Sequence, residues 1–399
     1  MTTGLRLAAC ATHPIQYHSP VWRRLAAEPG IEFEAFYGTD ISVRGYKDSE
    51  FGTTVKWDTP LTAGFKHTCL STDPRIQSVD FWNPTASGLM REFRRFRPDV
   101  VLLTAYSGLF NMGAWRAARA VGAKVIMRHE ASDVAVSRSR WKEWGRDLLL
   151  RRLYVRIDGF AVIGSEARRH LLRLKVGEQK MEPAPYCVDS DFFAGEMARW
   201  LPQRGTIRGE FGMVEGDIAL VFSGKLIPKK DPLLILTALA RLDPKVRARI
   251  HLLVAGDGEL RDALIAAGRQ QLGERLHFFG FLNQTEIGRV YACGDVLVLP
   301  SRRGAGETWG LVVNEAMQFG LAPLVSDGVG CAPDLVLGDG GRVFASADSE
   351  ELAEAIRIVA TDLSARGEQI RASVRLRAGT HSSATAVAGI ATLARRVLL

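Results

Sequence analysis

The chain has 399 residues, of which 47% are hydrophobic and 24% charged, so it is long enough for two or three domains with sizeable cores. This composition excludes the disordered and fibrous classes of protein. Lys and Arg number 52 against 44 Asp and Glu, and the net charge of +8 favours an anionic partner such as nucleotide phosphates, nucleic acid or acidic lipid.

The sequence predicts neither a membrane span nor a disulfide framework. It holds no run of about 18 consecutive apolar residues, and residues 1–10 pass into a strand pattern without a signal-peptide cleavage region. We therefore expect a cytoplasmic protein. The five cysteines are widely spaced, form no Cys-x-x-Cys pair and are expected to be small core residues: Cys10, Cys69, Cys187, Cys293 and Cys331.

Short β-branched or apolar runs alternate with amphipathic helical segments along the whole chain, which is typical of β-α-β units around parallel sheets. In the first half, strands are predicted at 5–10, 31–36, 100–103, 124–127 and 160–163. In the second half, they are predicted at 218–222, 251–255, 276–279, 296–299, 322–325 and 342–344. The pattern predicts an α/β fold with two Rossmann-like domains.

Two prolines and several small polar or acidic residues interrupt the periodicity at 183–192, a composition that suits a hinge. We place the first domain at 1–187 and the second at 188–380. The remaining helical stretch, 381–399, is expected to pack back against the first domain.

The segment 299–320 is the most informative part of the sequence. A strand ends at Pro300, a glycine-rich loop carries Glu307, a helix is expected to open around Thr308, and Glu315 lies two turns inside it. The free N–H groups at the start of this helix, predicted at 309–311, would form an anion site. A nucleotide sugar suits this arrangement, with one carboxylate for sugar hydroxyls and one for ribose hydroxyls. Solvated surface glutamates are the alternative.

A second basic segment follows the first strand of the second half. Gly224 permits a close backbone approach, and Lys225 and Lys230 can meet a diphosphate as point charges at the carboxyl edge of the sheet. A solvated run of lysines is the alternative interpretation.

With these motifs, the chain resembles the retaining nucleotide-sugar glycosyltransferases of family 4, also called group 1 glycosyl transferases. The resemblance rests on the order of Gly-Lys-Leu at 224–226, Val-Ala-Gly-Asp-Gly at 254–258, Phe-Phe-Gly at 278–280 and Glu-x7-Glu at 307–315. It implies the GT-B architecture, in which the parallel sheets of two domains face a central cleft. The first domain then binds the acceptor and the second binds the nucleotide sugar.

The resemblance also implies roles for individual residues. Glu307 would lie near the donor sugar as a catalytic residue, Glu315 would bind the ribose, and Lys225 and Lys230 would bind the diphosphate. At Lys225 the family more often has arginine. Phe281 and Leu282 fall where the family's base-binding loop lies. The remaining donor-binding positions are Gly224, Thr308, Trp309, Gly310 and Leu311.

In the first domain, His129 follows a predicted strand and resembles the family's active-site histidine, which faces the transferred sugar. The loop at 12–20 lacks the glycine-rich turn that many members of the family place beneath the diphosphate. We expect this loop either to shape the acceptor site or to be purely structural. Its candidate acceptor residues are His13, Gln16, Tyr17 and His18.

Two motifs resemble cofactor sites but are interpreted otherwise. Asp189 and Asp191 form an Asp-x-Asp of the kind that binds a metal with a nucleotide sugar in another fold, but they lie at the predicted hinge and suit a helix cap. The glycines at 256 and 258 lack the third glycine of a dinucleotide site. We predict no metal and no other cofactor.

The segment 138–156 holds seven basic residues against two acidic ones, interleaved with tryptophans and leucines. Such a segment can lie on an anionic membrane surface, or it can be a core-packing helix with an arginine-rich solvent face. A peripheral contact with the inner face of the membrane is therefore one of two interpretations.

The sequence thus leads to one main functional hypothesis. We expect a sugar to pass from a UDP- or GDP-sugar, with retention of configuration, to a glycan, lipid-linked or small-molecule acceptor in bacterial polysaccharide or glycoconjugate synthesis. A GT-B phosphorylase and a nucleotide-sugar epimerase are the enzymatic alternatives. A non-enzymatic protein with a basic binding surface is the third, and no nucleic-acid partner is expected because no recognised binding module accompanies the basic residues.

Overall fold

The computed structural model describes residues 4–48, 53–130, 132–136 and 138–399. Within these residues, two parallel sheets of seven and six strands are each flanked by helices, and one small antiparallel hairpin accompanies the first sheet. This confirms the predicted α/β architecture of two parallel-sheet domains.

The strands of the first domain are β1 (Leu5–Ala11), β2 (Ile31–Tyr37), β3 (Tyr46–Asp48), β4 (Thr53–Val55), β5 (Lys66–Cys69), β6 (Val100–Leu103), β7 (Lys124–Met127), β8 (Gly159–Val162) and β9 (Met181–Pro183). Its helices are α1 (Ser19–Ala27), α2 (Ile41–Arg44), α3 (Leu89–Phe96), α4 (Leu109–Ala120), α5 (Arg140–Val155) and α6 (Ser165–Arg173). The parallel sheet has the order β5-β2-β1-β6-β7-β8-β9, and β3 pairs with β4.

The strands that follow are β10 (Ile218–Ser223), β11 (Ile250–Ala255), β12 (Leu276–Gly280), β13 (Val296–Leu299), β14 (Ala322–Ser326) and β15 (Arg342–Phe344). The helices are α7 (Ser190–Trp200), α8 (Arg204–Glu210), α9 (Leu233–Arg241), α10 (Pro244–Arg247), α11 (Arg261–Leu272), α12 (Gln284–Cys293), α13 (Leu311–Gln318), α14 (Ala332–Leu335), α15 (Ser349–Thr380) and α16 (Ser383–Arg396). The second sheet has the order β12-β11-β10-β13-β14-β15.

The predicted strands match the central strands of both sheets to within one or two residues, because these strands are nearly continuous apolar runs buried on both faces. The sequence analysis did not predict β5 and β9. Both are edge strands, and β9 ends in Pro183, which cannot donate to a ladder. An edge strand need not be a continuous apolar run, so the hydrophobic pattern missed these two, although it did predict the edge strands β12 and β15 of the second sheet.

Strand order changes direction at β1 in the first sheet and at β10 in the second. β1 lies between β2 and β6, and β10 lies between β11 and β13, so the loops after both strands open onto a crevice at the carboxyl edge of their sheet. Residues after β1 and after β10 line one shared cleft. The two sheets therefore face each other across it.

The last helix, α16, packs against α1, β8 and β9 of the first domain. Its residues Leu393 and Ile390 share a core cluster with Leu7 and Trp22, and Arg396 lies 2.7 Å from Glu182. The predicted return of the C-terminal helix to the first domain is confirmed. The domain limits at 187 and 380 stay predictions.

One buried carboxylate ties several elements of the second domain together. Asp295, directly before β13, lies against Arg204 and Arg208 of α8 and Arg371 of α15, and accepts the N–H of Ala219 at 2.8 Å. Burial alone would raise the pKa of Asp295, but the three guanidinium groups hold it below its ordinary value. The carboxylate thus stays charged inside the domain and fixes α8 and α15 to the sheet.

Among the described residues, the helices are too short or too polar for any of them to cross a lipid bilayer.

Candidate functional site

A cleft of about 410 Å³ lies between the two domains. The first domain contributes the loop after β1, Trp57 and Glu130. The second contributes the turn after β10, the start of α12, the loop that carries Glu307 and the first turn of α13. Its size is within the range of small-molecule sites, and its walls combine aromatic rings with a few charged groups.

Glu307 and Lys230 form an ion pair in this cleft. The Lys230 ammonium contacts Glu307 Oε2, and Ser301 Oγ donates to the same oxygen at 3.1 Å. Both charged side chains are about 85% buried, because they expose 14% and 16% of their surface. The sequence analysis proposed both residues, and the structure brings them together although 77 positions separate them.

The helix after Glu307 begins later than the sequence analysis expected. α13 starts at Leu311 after Gly310, whose φ of 94° is left-handed, so Leu311 supplies the first N–H of the helix. The Thr308 N–H donates to the Gly306 carbonyl at 3.1 Å and is therefore not free. The expected start of the helix is therefore corrected to Leu311, and the anion site itself stays a prediction.

Thr308 and Trp309 both line the cleft, and their contacts with a donor stay predictions. The Trp309 indole is buried, donates to Asn314 Oδ1 at 2.8 Å and packs against the rings of Tyr186 and His381. Thr308 Oγ1 donates across the cleft to Glu130 of the first domain. These two side chains brace the loop between the domains.

Glu315 is buried and held by hydroxyl groups. Tyr17 donates to Oε1 at 3.1 Å from the first domain, Tyr291 donates to Oε2 at 3.0 Å, and Gln284 Nε2 lies 3.5 Å from Oε1. Burial raises the pKa of Glu315 to about 7, against the lowering effect of these donors. A carboxylate in this state accepts hydrogen bonds from hydroxyls, as the predicted ribose contact requires.

The turn after β10 lies against a second glycine turn. Gly224 has a φ of 145°, its N–H donates to Ala255 at 2.9 Å, and a Cβ placed on Gly256 would come within 1.9 Å of the Gly224 carbonyl. Close backbone approach therefore requires a glycine at 256, whereas Gly224 is favoured by its positive φ. Gly224 and Lys225 line the cleft as predicted, and Gly256 belongs to it without any dinucleotide motif.

Phe281 and Leu282 also line the cleft. The Phe281 ring lies 6.4 Å from the ring of Trp57, which comes from the first domain. An aromatic pair at this position offers a flat apolar surface, as the predicted base-binding loop would need.

The structure places His129 outside the cleft lining. Its ring is buried, and Nε2 lies 2.9 Å from the Tyr154 hydroxyl, which in turn lies 3.2 Å from His170 Nε2. Burial, with His170 and Arg146 nearby, lowers the pKa of His129 to about 3, so the imidazole is neutral at pH 7. Its role beside the sugar stays a prediction that this placement does not support. The next residue, Glu130, lines the cleft instead.

Only two of the four candidate residues in the predicted acceptor loop line the cleft. Gln16 and Tyr17 line the cleft, whereas His13 and His18 do not. His13 Nδ1 is 2.9 Å from Thr12 Oγ1, and the His18 ring packs 5.2 Å from Trp22 at the start of α1.

Asp189 is the N-cap of α7, where its carboxylate accepts the Phe192 N–H at 3.3 Å and pairs with Arg23. The cap predicted for the Asp-x-Asp motif is therefore observed. In the part of the chain that the structure describes, no group of three or more His, Cys, Asp or Glu side chains is placed to hold a metal ion.

Sequence reasoning missed several residues that shape the cleft. Trp57, Gln284 and Tyr291 lie in segments without a recognisable motif, and only the fold brings them to Phe281 and Glu315. Glu130 had a usable signal, because it follows a strand end directly after His129.

Two family models match this chain. The model described as "Glycosyl transferases group 1" matches residues 203–373, and the model described as "Glycosyl transferase 4-like domain" matches residues 62–187. The D-inositol 3-phosphate glycosyltransferase of Geodermatophilus obscurus is 32% identical over 199 residues, which are 47% of this chain and 42% of that protein. The matched segments span about half the length of such relatives.

Two solved structures share the whole architecture. A sucrose-phosphate synthase from Thermosynechococcus elongatus matches with a TM-score of 0.71 at 16% identity over 99% of both chains. The Anabaena protein Alr3699/HepE, solved in complex with UDP, matches with a TM-score of 0.70 at 12% identity over 98% of this chain and 100% of that one. At these identities the likeness shows the shared fold.

Proposed function

The chain belongs to the group 1 glycosyl transferases with the GT-B fold, and we propose that it transfers a sugar from a nucleoside-diphosphate donor to an acceptor hydroxyl. The observation that carries this proposal is the buried Lys230–Glu307 pair beside the first turn of α13, in a cleft that also receives side chains from the first domain. A cation, free helix N–H groups and a carboxylate complement a diphosphate and a hydroxylated sugar at one place.

Within this proposal, the donor lies along the second-domain wall. The diphosphate faces Lys230, Lys225 and the N–H groups at Leu311 and beyond, where the positive end of the α13 dipole also points. Glu307 accepts from sugar hydroxyls, and the base rests on Phe281. Co-crystals of Alr3699/HepE with UDP and with UDP-glucose favour a uridine nucleotide, and a guanosine nucleotide is the alternative.

We propose that the ribose reaches Glu315 by replacing the Tyr17 hydroxyl. Both carboxylate oxygens already accept from tyrosine hydroxyls, and Glu315 exposes only 7% of its surface. Because Tyr17 belongs to the first domain, donor binding would replace an interdomain hydrogen bond with one to the ribose. This exchange would remove one of the hydrogen bonds that join the two domains.

The proposed reaction retains the configuration at the anomeric carbon. The bond from that carbon to the diphosphate oxygen breaks, the bond to the acceptor oxygen forms on the same face, and the acceptor proton passes to the leaving diphosphate. Lys230 and the start of α13 stabilise the negative charge that develops on the diphosphate. Closure of the two domains over the donor would exclude water, which otherwise hydrolyses the donor.

We further propose that this enzyme meets a lipid-linked or glycan acceptor at an anionic membrane surface. α5 exposes 84% of Trp141 and 66% of Trp144, and Leu149 and Val155 are also exposed. Arg140, Lys142, Arg151 and Arg152 are exposed on the same helix, and Arg156 is exposed directly after it. Exposed tryptophans flanked by basic groups are typical of helices that lie in the interface of anionic membranes.

The test of the transfer activity compares three variants of the full chain. Incubation with UDP- and GDP-sugars and a hydroxylated acceptor should release the nucleoside diphosphate, and the product anomer should match that of the donor by NMR. Lys230→Ala and Glu307→Gln should lower kcat/KM by about 100-fold, since each removes a group that meets the transition state. Lys245→Ala, on α10 before the amino end of β11, should have no effect.

Wild-type turnover in both Lys230→Ala and Glu307→Gln would overturn the assignment of the site. A product of inverted configuration would overturn the retaining mechanism and leave the transferase activity in place.

A further inference from the structure

A short segment of the first domain, residues 56–59, lies against the second domain beside the cleft. It follows Val55 of β4, which is buried, and it is succeeded by Leu61, which is also buried and whose carbonyl accepts from Ser19 Oγ at 2.6 Å. Both ends of the segment are therefore fixed by the first domain. Side chains that the segment carries keep their position relative to that domain.

The segment is hydrogen-bonded to the start of α12 in the second domain. Asn283 Nδ2 donates to the Lys56 carbonyl at 2.8 Å, and the Asp58 carboxylate accepts the Thr285 N–H at 3.1 Å and the Thr285 hydroxyl. Asp58 thus satisfies one of the first N–H groups of this helix, and its charge lies at the positive end of the helix dipole. Because Asn283 directly follows Leu282, the docked segment lies beside the predicted base-binding loop.

Trp57 belongs to this segment and lines the cleft, as Phe281 does. The centroids of the two rings are 6.4 Å apart, and their planes are inclined by 58°. The rings come from different domains and form two adjoining apolar walls. A corner of this kind suits one flat aromatic group, because ring contacts bury apolar area and add an attraction between π-systems. The nucleobase is the flat aromatic part of the proposed donor.

Two long hydrogen bonds connect the segment to the predicted ribose carboxylate. Thr59 Oγ1 donates to Gln284 Oε1 at 3.4 Å, and Gln284 Nε2 lies 3.5 Å from Glu315 Oε1. Glu315 belongs to α13, whose first turn faces the diphosphate in the proposed function. The contacts therefore run from the segment through Glu315 to the start of α13, which is the order of base, ribose and diphosphate in the donor.

We propose that Trp57 contacts the nucleobase of the donor, so that the first domain completes the nucleoside half of a site whose diphosphate half belongs to the second domain. Asp58 is a positioning residue, because it acts by holding the segment on α12. This inference rests on the proposed function, since it assigns a further contact to the same donor site. Recognition of the base then depends on the docking of the two domains.

The test measures the affinity of the full chain for UDP, GDP and inorganic pyrophosphate by isothermal titration calorimetry. Pyrophosphate is the matched probe, because it meets the diphosphate groups and has no base. Trp57→Ala should weaken binding of the nucleoside diphosphate by about tenfold, a loss within the range for one base–aromatic stack, and should leave pyrophosphate binding unchanged. Trp57→Phe keeps a ring and should recover most of this loss. Trp82→Ala removes an exposed indole of the first domain that does not line the cleft and should change neither affinity.

A second variant releases the segment without altering the Trp57 ring. Asp58→Ala removes the carboxylate that docks on α12 and should weaken binding of the nucleoside diphosphate severalfold, again with pyrophosphate binding unchanged. Asp243→Ala is the matched control, because it removes the carboxylate that caps α10, and it should have no effect on either affinity. Circular dichroism of each variant verifies the fold.

Equal affinity of wild-type protein and Trp57→Ala for the nucleoside diphosphate would overturn the proposal. A loss of pyrophosphate binding as large as that of nucleoside diphosphate binding would also overturn it, because Trp57 would then support the fold of the cleft instead of the base. Both results leave the proposed function in place. Wild-type protein that binds neither UDP nor GDP would overturn the proposed donor site and this inference together.

Discussion

Glu315 shows how a buried carboxyl can be held ready for a polar ligand. Two tyrosine hydroxyls and Gln284 surround it, yet burial still raises its pKa to about 7. The folded protein therefore binds a proton at this residue more tightly than the unfolded chain does. Near neutral pH, the carboxyl is divided between its charged and neutral forms.

This pKa predicts a specific pH dependence of stability. A carboxyl whose folded pKa lies above its unfolded value of 4.5 stabilises the fold below about pH 4.5, and this contribution is lost as the pH rises to about 7. Glu315→Gln removes the titration, so the free energy of unfolding of the variant relative to wild type should rise between about pH 5 and pH 8. Urea unfolding of both proteins at the two pH values measures it.

Comparing the two proteins cancels the titration of every other group. A difference in unfolding free energy that is the same at both pH values would contradict the raised pKa of Glu315.

The sequence was sufficient for residues whose role depends on local spacing. Lys230 and Glu307 follow strand ends of one domain, and a parallel sheet brings such positions to one edge. The sequence was insufficient for contacts that cross the cleft. Tyr17 and Glu315 form a hydrogen bond although 298 positions separate them, and no rule of local spacing predicts such a pair. For His129, a strand end fixes where the Cα lies but not whether the ring faces the cleft or Tyr154, so its role beside the sugar stays a prediction.

At the scale of elements, the helix boundaries depended on backbone details that composition does not reveal. Gly310 adopts a left-handed conformation and delays α13 to Leu311, whereas a glycine-rich loop followed by Thr308 suggested an earlier start. Long central strands were predictable because burial on both faces makes them uniformly apolar. The C-terminal helix α16 was predictable as a helix, and its partners α1 and β9 follow from the tertiary fold.

α5 offers an element-scale test of the membrane proposal. The full chain should co-sediment with phosphatidylglycerol vesicles and not with phosphatidylcholine vesicles, and added salt should weaken binding because exposed charges are screened. The double variant Trp141→Ser, Trp144→Ser should lower the affinity by at least about tenfold, since it removes the two exposed rings that would enter the interface.

Leu376→Ser is the matched control, because Leu376 is equally prominent, with 79% of its surface exposed, but lies on α15. Loss of binding in this control as well, or equal binding to neutral vesicles, would contradict an electrostatic contact through α5.

At the scale of the whole molecule, side chains of one domain repeatedly bond to the other around the cleft. Ser165 donates through its N–H at 3.0 Å and its hydroxyl at 2.7 Å to Asp334, and the Gly304 N–H donates to the Val134 carbonyl at 3.0 Å. With the Tyr17–Glu315 bond, these contacts hold the domains in a closed arrangement. Exchange of the Tyr17 bond for a ribose contact would couple donor binding to the relation between domains.

Buried histidines predict how the whole molecule responds to acid. Burial lowers the pKa of His13 and His277 to about 4 and that of His18 and His129 to about 3. Because these folded-state values lie below the unfolded value of 6.5, the unfolded chain takes up more protons, and stability falls as the pH drops from about 6.5 toward 4. Glu315 acts in the opposite direction over part of this range, but four histidines outweigh one carboxyl.

His18→Phe should therefore flatten the acid dependence. The His18 ring packs on Trp22, and its Nδ1 has no hydrogen-bond partner among the described residues, so phenylalanine fits the site without leaving a polar group unpaired. Unfolding in urea at several pH values between about 5 and 7 should show a slope smaller by up to about 1.4 kcal/mol per pH unit than in wild type. Identical slopes would mean that His18 takes up no proton on unfolding and that other groups govern the acid response.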